Sequence, residues 1–268
     1  MNIEDIKTLL IDGDGVLWRS DQAIPGIDRF FNTLGQQKIE WALLTNNNTK
    51  TVAAYVEKLK GFGIDSEEDR IFTSSTVTAD YLLNQYEKGA PVHVVGMSGL
   101  IDTVMQYGLS VTTGEDKPPH KVVAVAAGMD REINYKKITV AMQLILDGAE
   151  FVATNLDASF PVSDGFWPGT GAIIGALIGA TNQEPTVIGK PESAIYETAM
   201  SRFDANPEAT AMLGDRLETD ILGAQRAGIG TIMVLTGVAT REDIELSHIK
   251  PEHLYEDILS LAKAFAES

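Results

Sequence analysis

Two aspartates one glycine apart, Asp12 and Asp14, follow the apolar run Leu9-Leu10-Ile11. The run reads as a buried strand, and a parallel sheet would deliver both carboxylates to its carboxyl end, where open α/β folds take their ligands. Carboxylates that close repel one another and await a cation. Gly13 and Gly15 let the backbone turn sharply beside them. The same grammar recurs downstream. Ile39–Leu44 ends in Thr45-Asn46-Asn47, Pro185–Ile188 in Gly189-Lys190, and Ala209–Leu213 in Gly214-Asp215. Phosphoryl transfer needs a metal against the phosphate oxygens, a cation and amide donors around them, and a positioned nucleophile. If these strands share one parallel sheet, their polar ends converge on one edge and supply that set. Asp12, Asp215 and the Asp14 carbonyl suit Mg²⁺, which takes oxygen ligands and keeps several waters. The Thr45 hydroxyl, the amides of Asn46 and Asn47 and the Lys190 ammonium suit a phosphate. Asp220 follows Asp215 closely and could simply pair with Arg216 or Arg226.

The elements that must carry these residues alternate between strand and amphipathic helix, the pattern of an α/β protein with a parallel sheet. Helices are expected to about Gln36, over Thr51–Lys60, Thr76–Gln85 and Tyr135–Leu146, and after Asp215 to about Ala227, with a last one over Leu254–Phe265. Further strands are expected at Val92–Val95, Lys121–Ala126, Phe151–Ala153 and Thr231–Leu235. A loop rich in Gly, Pro and Asp separates Thr154 from Gly169, and an apolar helix of small residues runs from there to Ala180. That helix is too short to span a bilayer, which takes ~20 residues.

At 268 residues the chain can bury a sizeable core, and 44% hydrophobic with 22% charged residues is ordinary for a globular protein. The net charge of −17 is not ordinary, and it argues against nucleic acid or an anionic membrane as partner. An anionic substrate then requires local positive charge, which Mg²⁺ and Lys190 would provide. The absence of cysteine excludes disulfides, thiolate metal sites and thiol catalysis. The four histidines form no constellation. With acidic residues by position 5 and no secretory signal, a cytoplasmic location is the expectation.

Asp12-Gly13-Asp14-Gly15-Val16-Leu17, Leu43-Leu44-Thr45-Asn46-Asn47, Gly189-Lys190-Pro191 and Gly214-Asp215-Arg216-Leu217 with Thr219-Asp220 resemble, in order, the motifs of the haloacid dehalogenase-like (HAD) phosphohydrolases. Ala153–Asp157 and Gly165–Gly171 resemble the cap signature of the NagD/p-nitrophenylphosphatase-like subfamily. The resemblance spans essentially the whole chain. It implies a Rossmann-like parallel-sheet core, residues 1–76 and 182–268, with an α/β cap of the C2a type inserted at 77–181. It implies that Asp12 is the nucleophile, forming an aspartyl-phosphate, and that Asp14 is the general acid and base. Thr45, Asn46 and Asn47 would bind the phosphoryl oxygens, and Lys190 would bridge Asp12 and phosphate. Asp12, Asp14 and Asp215 would hold Mg²⁺, and Asp220, one helical turn further along, is a candidate to orient Lys190 or a metal-bound water. Asp14 points to phosphate esters, since dehalogenases lack this second aspartate. The stretch from Thr45 to Lys190 far exceeds one crossover, which accommodates the cap. Its loop Asn155–Trp167, with Asp157, Phe160 and Trp167 foremost, is expected to contact the leaving group. Some relatives carry a histidine where this chain has Phe160, so the substrate of any one relative does not transfer. A homodimer through the cap is also expected by resemblance.

The function expected is Mg²⁺-dependent hydrolysis of small phosphate monoesters from phosphorylated metabolites. A phosphotransferase or phosphomutase passing the phosphoryl group to a sugar is disfavoured by the cap's position. A non-catalytic phosphometabolite-binding protein is disfavoured by Asp14, for which a binder has no use.

Overall fold

The computed structural model describes residues 1–162 and 165–268. The chain forms two compact units, one comprising Met1–Thr45, Ala53–Phe72 and Lys190–Ser268, the other Asn46–Val52 and Thr73–Gly189. Along the chain run β1 (Thr8–Ile11), a hairpin of β2 (Trp18–Arg19) and β3 (Gln22–Ala23), α1 (Ile27–Gln37), β4 (Glu40–Thr45), α2 (Val52–Gly61) and β5 (Ile71–Thr73). Next come α3 (Ser74–Gln85), β6 (Pro91–Val95), α4 (Ser98–Gln106), β7 (Ser110–Thr112), β8 (Ala124–Ala127), α5 (Tyr135–Leu146), β9 (Glu150–Ala153), β10 (Ser159–Val162), β11 (Gly165–Pro168), α6 (Thr170–Thr181) and β12 (Thr186–Val187). The chain closes with α7 (Ala194–Arg202), β13 (Thr210–Gly214), a π-helical turn (Leu217–Ile221), α8 (Leu222–Arg226), β14 (Gly230–Val234), α9 (Arg241–Leu246), β15 (His253–Tyr255) and α10 (Ile258–Glu267). Among the described residues no helix is long and apolar enough to cross a membrane.

The first unit holds a sheet ordered β15-β14-β13-β1-β4-β5. Counted along the chain from β5 this is the doubly wound order 3-2-1-4-5-6, whose winding reverses between β1 and β13. β1 pairs in parallel with β13 on one side and β4 on the other, with Leu10 opposite Met212 and Ala42. Such a central strand is covered on both faces, which explains its unbroken apolar sequence. Leu9, Leu10 and Ile11 are fully buried. Ile27, Phe30 and Leu34 form the buried stripe of α1, at the spacing a helix demands. Gly26, at φ 85°, starts that helix where any side chain would strike Leu259 of α10.

The second unit holds a sheet ordered β12-β9-β8-β6-β7, parallel throughout. Val125, Phe151, Leu144, Ile174 and Leu177 share one core. The apolar α6 is thus core on one side, burying Ile173, Ile174 and Leu177, while its small residues Ala172, Gly175, Ala176, Gly179 and Ala180 face outward. Thr73 caps α3 through a reciprocal pair of hydrogen bonds with Thr76.

Four sequence expectations need correcting. The last helix begins at Ile258 rather than Leu254, because Leu254 and Tyr255 belong to β15 and pair with Met233 and Val234. The strand before Lys190 does not join β1, β4 and β13; β12 pairs with β9 in the second sheet. The stretch after Asn155 is not all loop, because Ser159–Val162 and Gly165–Pro168 pair as an antiparallel hairpin with Phe160 opposite Trp167. Residues Ser163 and Asp164, within the expected contact loop, lie outside the described residues. The helix expected from Asp215 opens as a π turn, with the Ile221 amide reaching back to the Arg216 carbonyl.

Candidate active site

β1 ends at Ile11 and β13 at Gly214, so Asp12 and Asp215 emerge side by side at the point where the winding of the first sheet reverses. Ligands of open α/β sheets sit in that crevice. The Asp12 amide donates to the Leu213 carbonyl, which keeps the two chain ends in register past the last strand residue. Asp12, Asp215 and Asp220 each offer one carboxylate oxygen, all within 4.8 Å of one another. Lys190 enters this group, 2% exposed, with Nζ 2.5 Å from Asp12 Oδ1 and 2.7 Å from Asp220 Oδ1. It also donates to the Leu44 carbonyl at 3.1 Å, just before Thr45.

Asp220 is fixed by the π turn. Its Oδ2 accepts from the amides of Asp215 at 3.3 Å and Arg216 at 3.1 Å, and its Oδ1 from Lys190. A Cβ on Gly214 would overlap the Asp220 carboxyl, so the strand must end in glycine for the aspartate to fold back over it. Tyr196 of α7 steadies the turn by donating to the Thr219 and Asp220 carbonyls. Arg226, the alternative partner read from the sequence, pairs with Glu192 instead.

Three carboxylates around one ammonium leave an excess of negative charge in a buried place. Burial pushes the Asp12 carboxyl well above the usual range; Lys190 opposes this, and Asp220 and Asp215 add to it. Burial, then Asp220, pushes Asp215 up to about 7. Burial opposes the Lys190 charge too, but Asp12 and Asp220 outweigh it and hold the ammonium above its ordinary range. Asp215 Oδ2 accepts from the Val238 amide at 2.8 Å, whereas its buried Oδ1 meets no hydrogen-bond donor among the described residues. Side chains on Gly15, at φ 92°, or on Gly237 would strike this carboxyl. An all-oxygen donor set with surplus negative charge and an orphaned carboxylate oxygen fits a hard divalent cation.

Asp14 lies in the turn that follows, and its Oδ1 accepts from the Trp18 indole at 3.0 Å. Thr45, at the end of β4, is buried and hydrogen-bonded to Tyr55. The other residues singled out from the sequence belong to the second unit. There Asn46 Nδ2 donates to Asp157 at 3.3 Å, and Asn47 Oδ1 accepts from the amide and hydroxyl of Thr49, closing a turn. Asn48 is the buried pin of this segment, donating to Thr154 and Asn155 and accepting from the Met129 amide. Phe160 and Trp167 meet edge to face, and the Arg131 guanidinium stacks over both. Trp18, Tyr196 and Arg131 are neighbours the sequence did not reveal. Only the position of Trp18, four residues after Asp14, offered a signal.

Residues 9–110 match the profile of the haloacid dehalogenase-like hydrolases, and residues 187–261 a HAD-hydrolase-like profile. The chain belongs to the haloacid dehalogenase-like hydrolases. It is 36% identical over 252 residues to an acid sugar phosphatase of Staphylococcus epidermidis, covering 94% of this chain and 95% of that one. Among solved structures it resembles a 4-nitrophenylphosphatase from Thermotoga maritima (TM-score 0.90, 31% identity, 98% of both chains). It also resembles a glycerol phosphate phosphatase from Mycobacterium tuberculosis in complex with magnesium (TM-score 0.88, 30% identity, 98% of this chain and 79% of that one). These relatives identify the NagD-like branch of the HAD family and a phosphoric monoester hydrolase.

Proposed function

We propose that this HAD phosphatase hydrolyses small-molecule phosphate monoesters with Mg²⁺, in two displacements at Asp12. The observation that carries the reading is the buried cluster at the strand switch, where Lys190 joins Asp12 to Asp220 beside the orphaned Asp215 oxygen. Asp12 and Asp215 would hold the ion through carboxylate oxygens and Asp14 through its carbonyl, with Asp220 outside them orienting Lys190. Bound there, Mg²⁺ supplies positive charge against the phosphoryl oxygens and the crowded carboxylates. The magnesium in the M. tuberculosis phosphatase structure supports that choice of ion.

A carboxylate oxygen of Asp12 attacks phosphorus and the bond to the leaving oxygen breaks. Asp14 delivers its proton to that oxygen, so an alcohol departs. A water then attacks the aspartyl-phosphate, gives its proton to Asp14, and the bond from phosphorus to Asp12 breaks, releasing phosphate. Splitting one hard displacement in two is what a covalent nucleophile contributes. Thr45, Asn46, Asn47 and Lys190 would bind the phosphoryl oxygens.

Residues 77–181 would serve as the cap on a core of 1–76 and 182–268. Support comes from the independent sheet and core that residues 73–189 build. Asp157, Phe160 and Trp167 would then meet the leaving group, and a cap-to-cap homodimer is consistent with the outward face of α6. The names of the relatives, sugar phosphate, glycerol phosphate and nitrophenyl ester, favour small monoesters as a class rather than one substrate. The deciding experiment is turnover of p-nitrophenyl phosphate. Asp12→Asn should abolish it while leaving circular dichroism unchanged, and excess EDTA should abolish it in the unaltered enzyme. Substantial turnover by Asp12→Asn would end the covalent reading, and turnover undiminished by EDTA would end the metal assignment.

A further inference from the structure

We propose that Trp18 is a positioning residue for the proton transfer, its indole N–H holding the Asp14 carboxyl through Oδ1. The inference rests on the role proposed for Asp14 and adds the group that aims it.

The indole nitrogen can only donate. It lies 3.0 Å from Asp14 Oδ1. A carboxyl oxygen accepts this bond whether or not the group carries a proton, so one donor fixes the orientation of Asp14 through both halves of the reaction.

The donor is itself held firmly. Trp18 is fully buried, stacked on Tyr55 with centroids 6.1 Å apart and tilted against Phe62 at 6.2 Å. The Lys58 ammonium sits over the indole, 4.1 Å from its centroid, and donates to the Ser20 carbonyl. The backbone ties Trp18 to the turn it serves. Its amide donates to the Gly13 carbonyl at 3.2 Å, and its carbonyl accepts from the Gly15 amide at 2.7 Å. The ring lies across Gly13, where any Cβ would collide with it. Glycines on both sides of Asp14 leave the turn little stiffness of its own. The indole restores it at the one side chain that must point accurately.

A buried tryptophan needs an acceptor for its N–H in any protein, so the test must separate aiming from packing. Two changes at position 18 do so: Trp18→Phe, and the isostere 3-benzothienylalanine, which keeps the bicyclic ring and lacks only the donor. Each is assayed with p-nitrophenyl phosphate, whose leaving group needs little protonation, and with phenyl phosphate, whose leaving group needs much more. Asp14→Asn is assayed alongside. General acid catalysis is worth ~10²–10⁴-fold, and misaiming forfeits part of it. With the isostere, kcat for phenyl phosphate should fall about tenfold. That for p-nitrophenyl phosphate should change less than about twofold, with KM steady for both. In the Asp14→Asn background the isostere should add no further split. Equal losses on both esters, or no loss on either, overturns the role of Trp18. If Asp14→Asn itself shows no split, it is the reading of Asp14 that fails; if Asp14→Asn splits the esters and the isostere does not, the failure belongs to Trp18 alone.

Discussion

Asp215 is poorly suited to its buried place, yet under the proposed mechanism it is a metal ligand. Its carboxyl is nearly inaccessible, one oxygen meets no donor among the described residues, and burial raises it to about 7. A neutral amide would suit that environment better, yet would bind a hard cation poorly. Asp215→Asn should therefore fold at least as well as the unaltered chain without metal. It should weaken Mg²⁺ binding by about ten- to a hundredfold in calorimetric titration. A ligand at 100 times its Kd stabilises by ~2.7 kcal/mol, so at that Mg²⁺ concentration the rise in Tm seen for the unaltered protein should shrink to about half or less in the variant. A Tm rise of equal size in both would move the metal elsewhere. At this scale the sequence was informative where an apolar run ended in a carboxylate, as at Asp12 and Asp215. It misled for Lys190, whose preceding strand joins the other sheet although its ammonium still reaches Asp12. Trp18 was silent because an N–H donor leaves no mark beyond residue type.

At the scale of elements, the long buried strands and amphipathic helices were legible, because burial on one or both faces writes itself into apolar periodicity. The short edge strands β5 and β7 were not, having only three residues each. The π turn was equally hidden: Asp220 was counted on an α-helical register, whereas a bond from Ile221 back to Arg216 turns it over Gly214. β6 carries a different surprise, His93, which is 1% exposed. Its Nδ1 meets Thr112 Oγ1 and its Nε2 no partner among the described residues. Burial lowers its pKa to about 4, so the folded state resists a proton that the unfolded chain accepts below about 6.5. The sign follows directly: the contribution is complete above the unfolded value and is lost as pH falls toward the folded one. Between pH 7.5 and pH 5 the unaltered protein should lose ~2 kcal/mol of unfolding free energy that His93→Phe retains, read by denaturant titration at both pH values. Parallel pH curves for the two proteins would count against a neutral buried His93.

For the whole molecule, the division between the units explains why chemistry was easier to read than substrate. In the first unit Asp12, Thr45 and Asp215 stand at the ends of strands, where an apolar run marks them in the sequence. In the second unit, Arg131, Phe160 and Trp167 form a cluster whose composition follows no reaction and whose partners are far apart in the chain. The hairpin that carries the two aromatics was read as loop because Gly, Pro and Asp dominate its surroundings.

The interrupted path of the first unit has a consequence for how the protein is born. β1 is the middle strand of its sheet, yet one of its two neighbours, β13, is encoded about two hundred residues later. Residues 73–189 meanwhile contain a whole parallel sheet with its own core. During synthesis that segment can fold while β1 still lacks β13. Nascent chains stalled with residues 1–189 outside the ribosome should resist brief proteolysis over 73–189 and remain cleavable over 1–45, becoming resistant there only once β13 has emerged. Early protection of 1–45 would mean that β1 and β4 hold together without it. Asp12 would thus be among the first side chains translated and among the last to be placed.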